Sequence, residues 1–320
     1  LVTGGAGFIG SNLARALLAR GEHVRLLDNF STGQRANLEG LDAAELMEGD
    51  IADPETCTRA CRGMDWVFHQ AALPSVPRSV QDPVASHLAC ATGTLNMLWA
   101  AHHAGVKRLV YAGSSSVYGN SPTLPKVETM RPDPRSPYAV AKLAGEHYCR
   151  TFYNCYGLET VTLRYFNVFG PYQDPGSPYS GVHSAFITQL LRGEGCTING
   201  DGETSRDFTH IDNVVAVNLQ ARDSSAAPGN TYNVGCGSQV TLNWVYQQIS
   251  NQMGLTRPPR FAPERPGDVK HSLADISAAR RDLGYTPTVD VTTGLGRTID
   301  WYRQQATRGT PSPAPALPLL

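Results

Sequence analysis

Thr3-Gly4-Gly5-Ala6-Gly7-Phe8-Ile9-Gly10 decides how the rest of the chain is read. Leu1-Val2 ahead of it reads as the end of a buried strand. Behind it, from Ser11 onward, Leu13, Leu17 and Leu18 fall at helical spacing, and Gly21 closes that helix at its C-terminal end. The glycines therefore make a turn from strand to helix. A dinucleotide pyrophosphate can rest there on backbone N–H groups at the positive end of the helix. Gly4, Gly7, Phe8, Ile9 and Gly10 are the expected contacts.

Next comes His23-Val24-Arg25-Leu26-Leu27, a second strand with Asp28 at its tip. An acidic residue about 20 positions past such glycines accepts hydrogen bonds from adenosine ribose hydroxyls. Its charge would repel a 2′-phosphate, so NAD is expected over NADP. Arg35 is the one neighbour that works against that choice.

Strand and helix go on alternating down to about residue 165, the pattern of a parallel sheet wound on both faces. Val67-Phe68-His69, Leu109-Val110-Tyr111 and Thr160-Val161-Thr162-Leu163 are the later strands, with long helical patterns over 84–104 and 137–156. The expected fold class is α/β, a doubly wound parallel Rossmann sheet over residues 1–165. A Pro/Gly/Tyr-rich loop from Gly170 to Tyr179 and a helix near 182–192 open a smaller C-terminal substrate domain, 166–307, with strands free to return to the main sheet. Residues 308–320 are proline-rich and read as a disordered tail.

Composition narrows the function. At 320 residues the chain exceeds one typical domain and can bury a sizeable core. A net charge of −1 without long runs gives no reason to expect nucleic acid or an anionic membrane as partner. The seven cysteines lack a Cys-x-x-Cys pair, and Cys57 and Cys61 stand at helical spacing, so neither a metal site nor a disulfide framework is expected. No long apolar run or charged-then-apolar leader occurs, which suits a soluble cytoplasmic enzyme. Because the sequence opens inside a strand, a few native N-terminal residues are expected to be missing.

Tyr138-Ala139-Val140-Ala141-Lys142 supplies the chemistry. Its phenol and ammonium stand at i and i+4, on one face of a helix. A nearby positive charge favours the phenolate, so the tyrosine can give up its proton nearer neutrality. A nicotinamide cofactor beside a tunable phenol can move a hydride and a proton between a sugar alcohol and its ketone. The run Ala112-Gly113-Ser114-Ser115-Ser116-Val117-Tyr118-Gly119 follows a buried strand, at the edge of the sheet where ligands collect.

With these stretches the chain resembles the extended short-chain dehydrogenase/reductase superfamily and, within it, the UDP-sugar 4-epimerases, over residues 1 to about 303. The resemblance implies a catalytic trio of Ser114, Tyr138 and Lys142, with Ser115 and Ser116 near the sugar. It implies cofactor contacts from Asn29, Asp50, Ile51, Ala71, Ala72, Tyr165 and the catalytic Tyr138 and Lys142 themselves, besides Asp28 and the glycine turn. Arg164-Tyr165-Phe166-Asn167 resembles the segment whose asparagine, here Asn167, holds the diphosphate. Gly200 to Phe208 resembles the strand whose arginine, here Arg206, contacts a phosphate. Arg265-Pro266-Gly267-Asp268 resembles the loop whose arginine grips the diphosphate and whose aspartate meets the uridine ribose. Two separated arginines can neutralise a diphosphate through charge-assisted hydrogen bonds. The superfamily also builds homodimers through two helices, here near 84–104 and 137–156.

The serine run separates reaction types. Related dehydratases carry Asp-Glu where Ser115-Ser116 stand, and UDP-glucuronate decarboxylases carry a glutamate in place of Ser116. Elimination needs an acid for the leaving hydroxyl and a base for the C5 proton, which hydroxyls do not provide near neutrality. Oxidation and return of the same hydride remain, so epimerisation is expected. Ser272 stands where a large tyrosine limits relatives to glucose and galactose. Together with the stretch Ala72 to Ser79, which contains Ser75, it points to UDP-N-acetylglucosamine and UDP-N-acetylgalactosamine, with UDP-glucose and UDP-galactose also accepted. Pro171-Tyr172 departs from the two arginines those relatives often carry. A UDP-glucose 4-epimerase proper stays open. So does a UDP-uronate 4-epimerase, with Ser75, Arg78, Ser115 and Ser116 to meet a C6 carboxylate. A nucleotide-sugar dehydrogenase or an NAD-binding sensor is more remote.

Overall fold

The computed structural model describes residues 1–176, 181–255, 257–264 and 270–308. A short strand β1 (Val2–Thr3) leads through the glycine turn into helix α1 (Phe8–Ala19), and Gly21 at φ +75° ends that helix. Strands β2 (Arg25–Asp28) and β3 (Glu45–Glu48) then add to one side of β1. After helix α2 (Pro54–Cys61) the chain crosses to the other side and lays down β4 (Trp66–His69), β5 (Arg108–Ser114) and β6 (Glu159–Tyr165). Strand Thr231–Val234 returns from the C-terminal half and pairs with β6, completing a seven-stranded sheet. Every pairing in it is parallel. The expected doubly wound sheet is present.

Alternation along the strands builds a core on each face. Val2, Leu26, Phe68 and Val110 meet α1 and the helix Ile211–Asp223. Their neighbours Leu1, Leu27, Val67, Leu109 and Tyr111 point the opposite way. They meet α2 and two later helical stretches. The first comprises α3 (Val76–Gln81), α4 (Pro83–His87), a wide turn at Leu88–Thr92 and α5 (Gly93–His103). The second is α6 (Pro137–Tyr156). The pattern read as one helix over 84–104 is thus α4 and α5 joined through the wide turn.

Helix α6 carries strong end signals. The Ser136 hydroxyl accepts a hydrogen bond from the Ala139 N–H at 3.2 Å, Pro137 occupies the first turn, and Gly157 at φ +70° closes the far end. Tyr138 and Lys142 therefore sit in its first turns, beside the tip of β5.

In the C-terminal half, helices Val182–Leu191, Leu242–Met253 and Val291–Thr307 enclose a separate core around Ile187, Val245, Leu295 and Ile299. Buried Asp207 ties this half to the sheet by accepting the N–H groups of Cys236, Gly237 and Ala274 at 2.7–3.1 Å. Burial pushes its carboxyl up to about 6 against those donors. The tail read as disordered lies outside the described residues, apart from Arg308.

Candidate active site

Strand β1 lies between β2 and β4, so the connections leave it in opposite directions and open a crevice at the C-terminal edge of the sheet. The cleft there measures about 740 Å³. Its floor is backbone laid on backbone. Gly4 takes φ +67°, and a Cβ on it would stand 2.9 Å from the Ala71 Cα. A Cβ on Gly10 would stand 2.1 Å from the Gly4 carbonyl oxygen. The Thr3 hydroxyl fixes this approach by accepting the Ala71 N–H at 3.1 Å.

Asp28 braces the turn from the side. One carboxylate oxygen accepts the Ala6 N–H at 2.9 Å and the other the Phe30 N–H at 2.8 Å. A carboxylate has about four acceptor positions, so capacity remains toward the cleft that Asp28 lines. Burial pushes its carboxyl above the usual range, and the two backbone donors oppose that push. A Cβ on Gly33 would come within 2.6 Å of the same carboxylate, a constraint that periodicity did not reveal. Arg35 is mostly exposed and paired with Glu48 at 2.6 Å. Asn29 donates to Asp50 at 2.9 Å, and both line the cleft with Ile51, Ala71 and Ala72.

At the other end, Ser114, Tyr138 and Lys142 face the same space, with Tyr165 and Asn167 nearby. Lys142 is buried, and its Nζ donates to the Ala112 carbonyl at 2.9 Å. Burial lowers the Lys142 ammonium. Removal from bulk water pushes the Tyr138 phenol up, while the Ser114 hydroxyl pulls it back. The Ser114 hydroxyl also lies 2.8 Å from that of Ser116. A glycine cradle with N–H donors, an acceptor at the tip of β2 and a buried ammonium together fit a dinucleotide whose reactive end lies at Tyr138.

The chain's first 235 residues match the model of the NAD dependent epimerase/dehydratase family. The chain belongs to that family. It is an isomerase, and its cofactor is NAD. A UDP-glucose 4-epimerase of Mycolicibacterium smegmatis is 38% identical over 311 residues, covering 96% of this chain and 99% of that one. A solved UDP-N-acetylglucosamine 4-epimerase from Methanobrevibacter ruminantium M1, in complex with UDP-N-acetylmuramic acid, is 37% identical with a TM-score of 0.91, covering 95% and 97%. The Thermus thermophilus UDP-glucose 4-epimerase, solved with NAD, is 37% identical with a TM-score of 0.86, covering 94% and 98%.

In this epimerase/dehydratase family member the segment from Asn167 to Gly176, just past β6, supplies one wall of the cleft. Ser75, Ser115, Ser116, Arg206 and Ser272 do not line the cleft itself. Ser75 caps α3, its hydroxyl accepting the Arg78 N–H at 3.1 Å. Ser115 and Ser116 form a single tight turn after β5. Ser272 pairs main chain to main chain with Ser205 and Asp207, at 3.1 and 2.8 Å, which sets it beside the strand of Arg206. Arg265 and Asp268 lie outside the described residues.

Several wall residues had no signal in the sequence pattern, among them Phe30, Gln34, Gln70 and Gln173. Tyr172, singled out in the sequence only as a departure from relatives, also lines the wall. Its ring lies 3.9 Å under the Arg15 guanidinium of α1 and beside Trp301, while Asn12 donates to the Pro171 carbonyl at 3.1 Å. The loop at Pro171-Tyr172 is held by these contacts to α1 and the last helix.

Proposed function

We propose that this enzyme inverts C4 of UDP-hexoses through a 4-keto intermediate, favouring UDP-N-acetylglucosamine and UDP-N-acetylgalactosamine and accepting UDP-glucose and UDP-galactose. The observation that carries this reading is Tyr138, with Ser114 and Lys142, lining the same cleft as the glycine turn and Asp28. What NAD supplies when bound is a hydride acceptor that can return the same hydride. Tyr138 holds the proton of the sugar 4-hydroxyl and hands it back, as a general base and then a general acid. Ser114, at the tip of β5, orients that hydroxyl. Lys142 keeps positive charge behind the phenol and so favours its ionised form. Ser115 and Ser116 offer hydroxyls and no carboxylate, which supports epimerisation over elimination. Asn167, Arg206, Arg265 and Asp268 are proposed to hold the UDP portion while the ketone presents its other face.

A UDP-uronate reading is the alternative that an observation favours, because Arg78 also lines the cleft and offers a cation for a C6 carboxylate. Incubation with a panel of UDP-hexoses, with C4 epimers resolved by chromatography, tests both. Interconversion of the N-acetylated pair supports the first reading. Turnover of UDP-glucuronate alone overturns it. The enzyme is further proposed to be a homodimer in the cytoplasm. Seven free thiols, five of them buried, suit a reducing compartment.

A further inference from the structure

Tyr111 touches the proposed catalytic lysine in two places without lining the cleft. Its ring centroid lies 5.0 Å from the Lys142 Nζ, and its hydroxyl donates to the Lys142 carbonyl at 3.2 Å. The helix is cut to receive it. A Cβ on Gly145, one turn further along α6, would stand 2.3 Å from the Tyr111 oxygen. Behind the ring, His69 stacks at 5.8 Å, gripped by the Thr3 hydroxyl at 2.7 Å and the Thr94 hydroxyl at 3.1 Å. An ammonium buried as deeply as Lys142 loses its hydration, and the negative face of an aromatic ring replaces part of what water gave.

We propose that Tyr111 is a positioning residue: its ring sustains Lys142 as an ammonium behind Tyr138, and its hydroxyl fixes the helical turn from which that ammonium projects. This rests on Tyr138 and Lys142 being the proton-handling pair. The groups around Lys142 are Tyr111 from β5, His69 from β4, Cys90 from the wide turn, and Tyr138, Glu146 and Cys149 from α6 itself. His69 stays neutral, held down to about 3 by burial and by the Lys142 charge, so it adds no competing cation. Glu146 is engaged with Arg164, whose Nε donates to it at 2.9 Å. Tyr111 is therefore the group whose face the ammonium can use.

Weakening the ring's negative face leaves more of Lys142 neutral, so Tyr138 ionises at higher pH and the acid limb of the kcat/KM profile moves up. The test compares Tyr111→Phe with pentafluorophenylalanine at the same position, which keeps the ring's shape and inverts its electrostatics. Both are assayed with the UDP-hexose that the panel identifies. Relative to Tyr111→Phe, the fluorinated ring is expected to move the acid limb up by about one pH unit. NAD affinity should stay within about two-fold, since Tyr111 does not line the cleft. Coincident limbs for the two rings would overturn the proposal and leave Tyr111 a packing residue. Failure of the underlying pair shows separately, as a Tyr138→Phe enzyme that keeps its activity.

Discussion

Burial does most to set the electrostatics of individual residues. His69 and His183 are both held down to about 3, first by burial and then by the charge of Lys142 or His210. An unfolded imidazole titrates near about 6.5, so between that pH and about 3 the unfolded chain binds protons that the folded chain refuses. Their stabilisation is complete above that window and is lost as pH falls through it. By pH 5 the loss is on the order of 2 kcal/mol for each. Asp207, raised to about 6, takes up a proton in the folded state over the same range and offsets about 1 kcal/mol. Denaturant midpoints should therefore fall from pH 7 to pH 5 by about 3 kcal/mol in net stability. Equal midpoints at unchanged slope would contradict this account. At the cleft, Tyr138→Phe removes the proton-handling group and should lower kcat by about 10²–10⁴-fold in a protein that still folds and binds NAD. Retention of more than about a tenth of the activity would remove Tyr138 from the role.

Among the elements, the segment hydrogen-bonded to the Arg206 strand carries the specificity argument. Ser272 is fixed there through its main chain, by Ser205 and Asp207, so its side chain can change without unpairing the strand. Ser272→Tyr should selectively lower turnover of the N-acetylated substrates and spare UDP-glucose and UDP-galactose. Overpacking a formed site typically costs about 1–3 kcal/mol, about ten- to a hundred-fold in rate. Equal losses on all four substrates would remove Ser272 from that role. The same scale shows what a sequence can disclose. The glycine turn, the tip of β2 and the Tyr138–Lys142 face were legible because strand, turn and helix periods leave local marks. Gly33 under Asp28, Gly145 under Tyr111 and the Asn12–Pro171 tie were not. Each depends on a contact between segments distant in sequence or on a loop without periodicity, and only the folded packing brings those atoms together. The wide turn at Leu88–Thr92 was hidden for a related reason, since its apolar spacing still looks helical.

For the molecule as a whole, exposed apolar side chains collect on two neighbouring helical stretches. Val84, Leu88 and Trp99 are 66%, 45% and 47% exposed on one, and Val140 and Tyr156 are 53% and 45% exposed on α6. Apolar surface gathered in this way supports the proposed homodimer. Light scattering should give a dimer, and Leu88→Glu combined with Val140→Glu should give a folded monomer. A wild-type monomer across the concentration range would defeat the homodimer. The central claim, that one hydride leaves C4 and returns to it while Tyr138 handles the proton, is tested most directly with UDP-N-acetylglucosamine deuterated at C4. The account predicts C4-inverted product that keeps the deuterium at C4, with no net NADH absorbance at equilibrium. Inverted product with the label washed into solvent, or NADH accumulating in step with turnover, would contradict it.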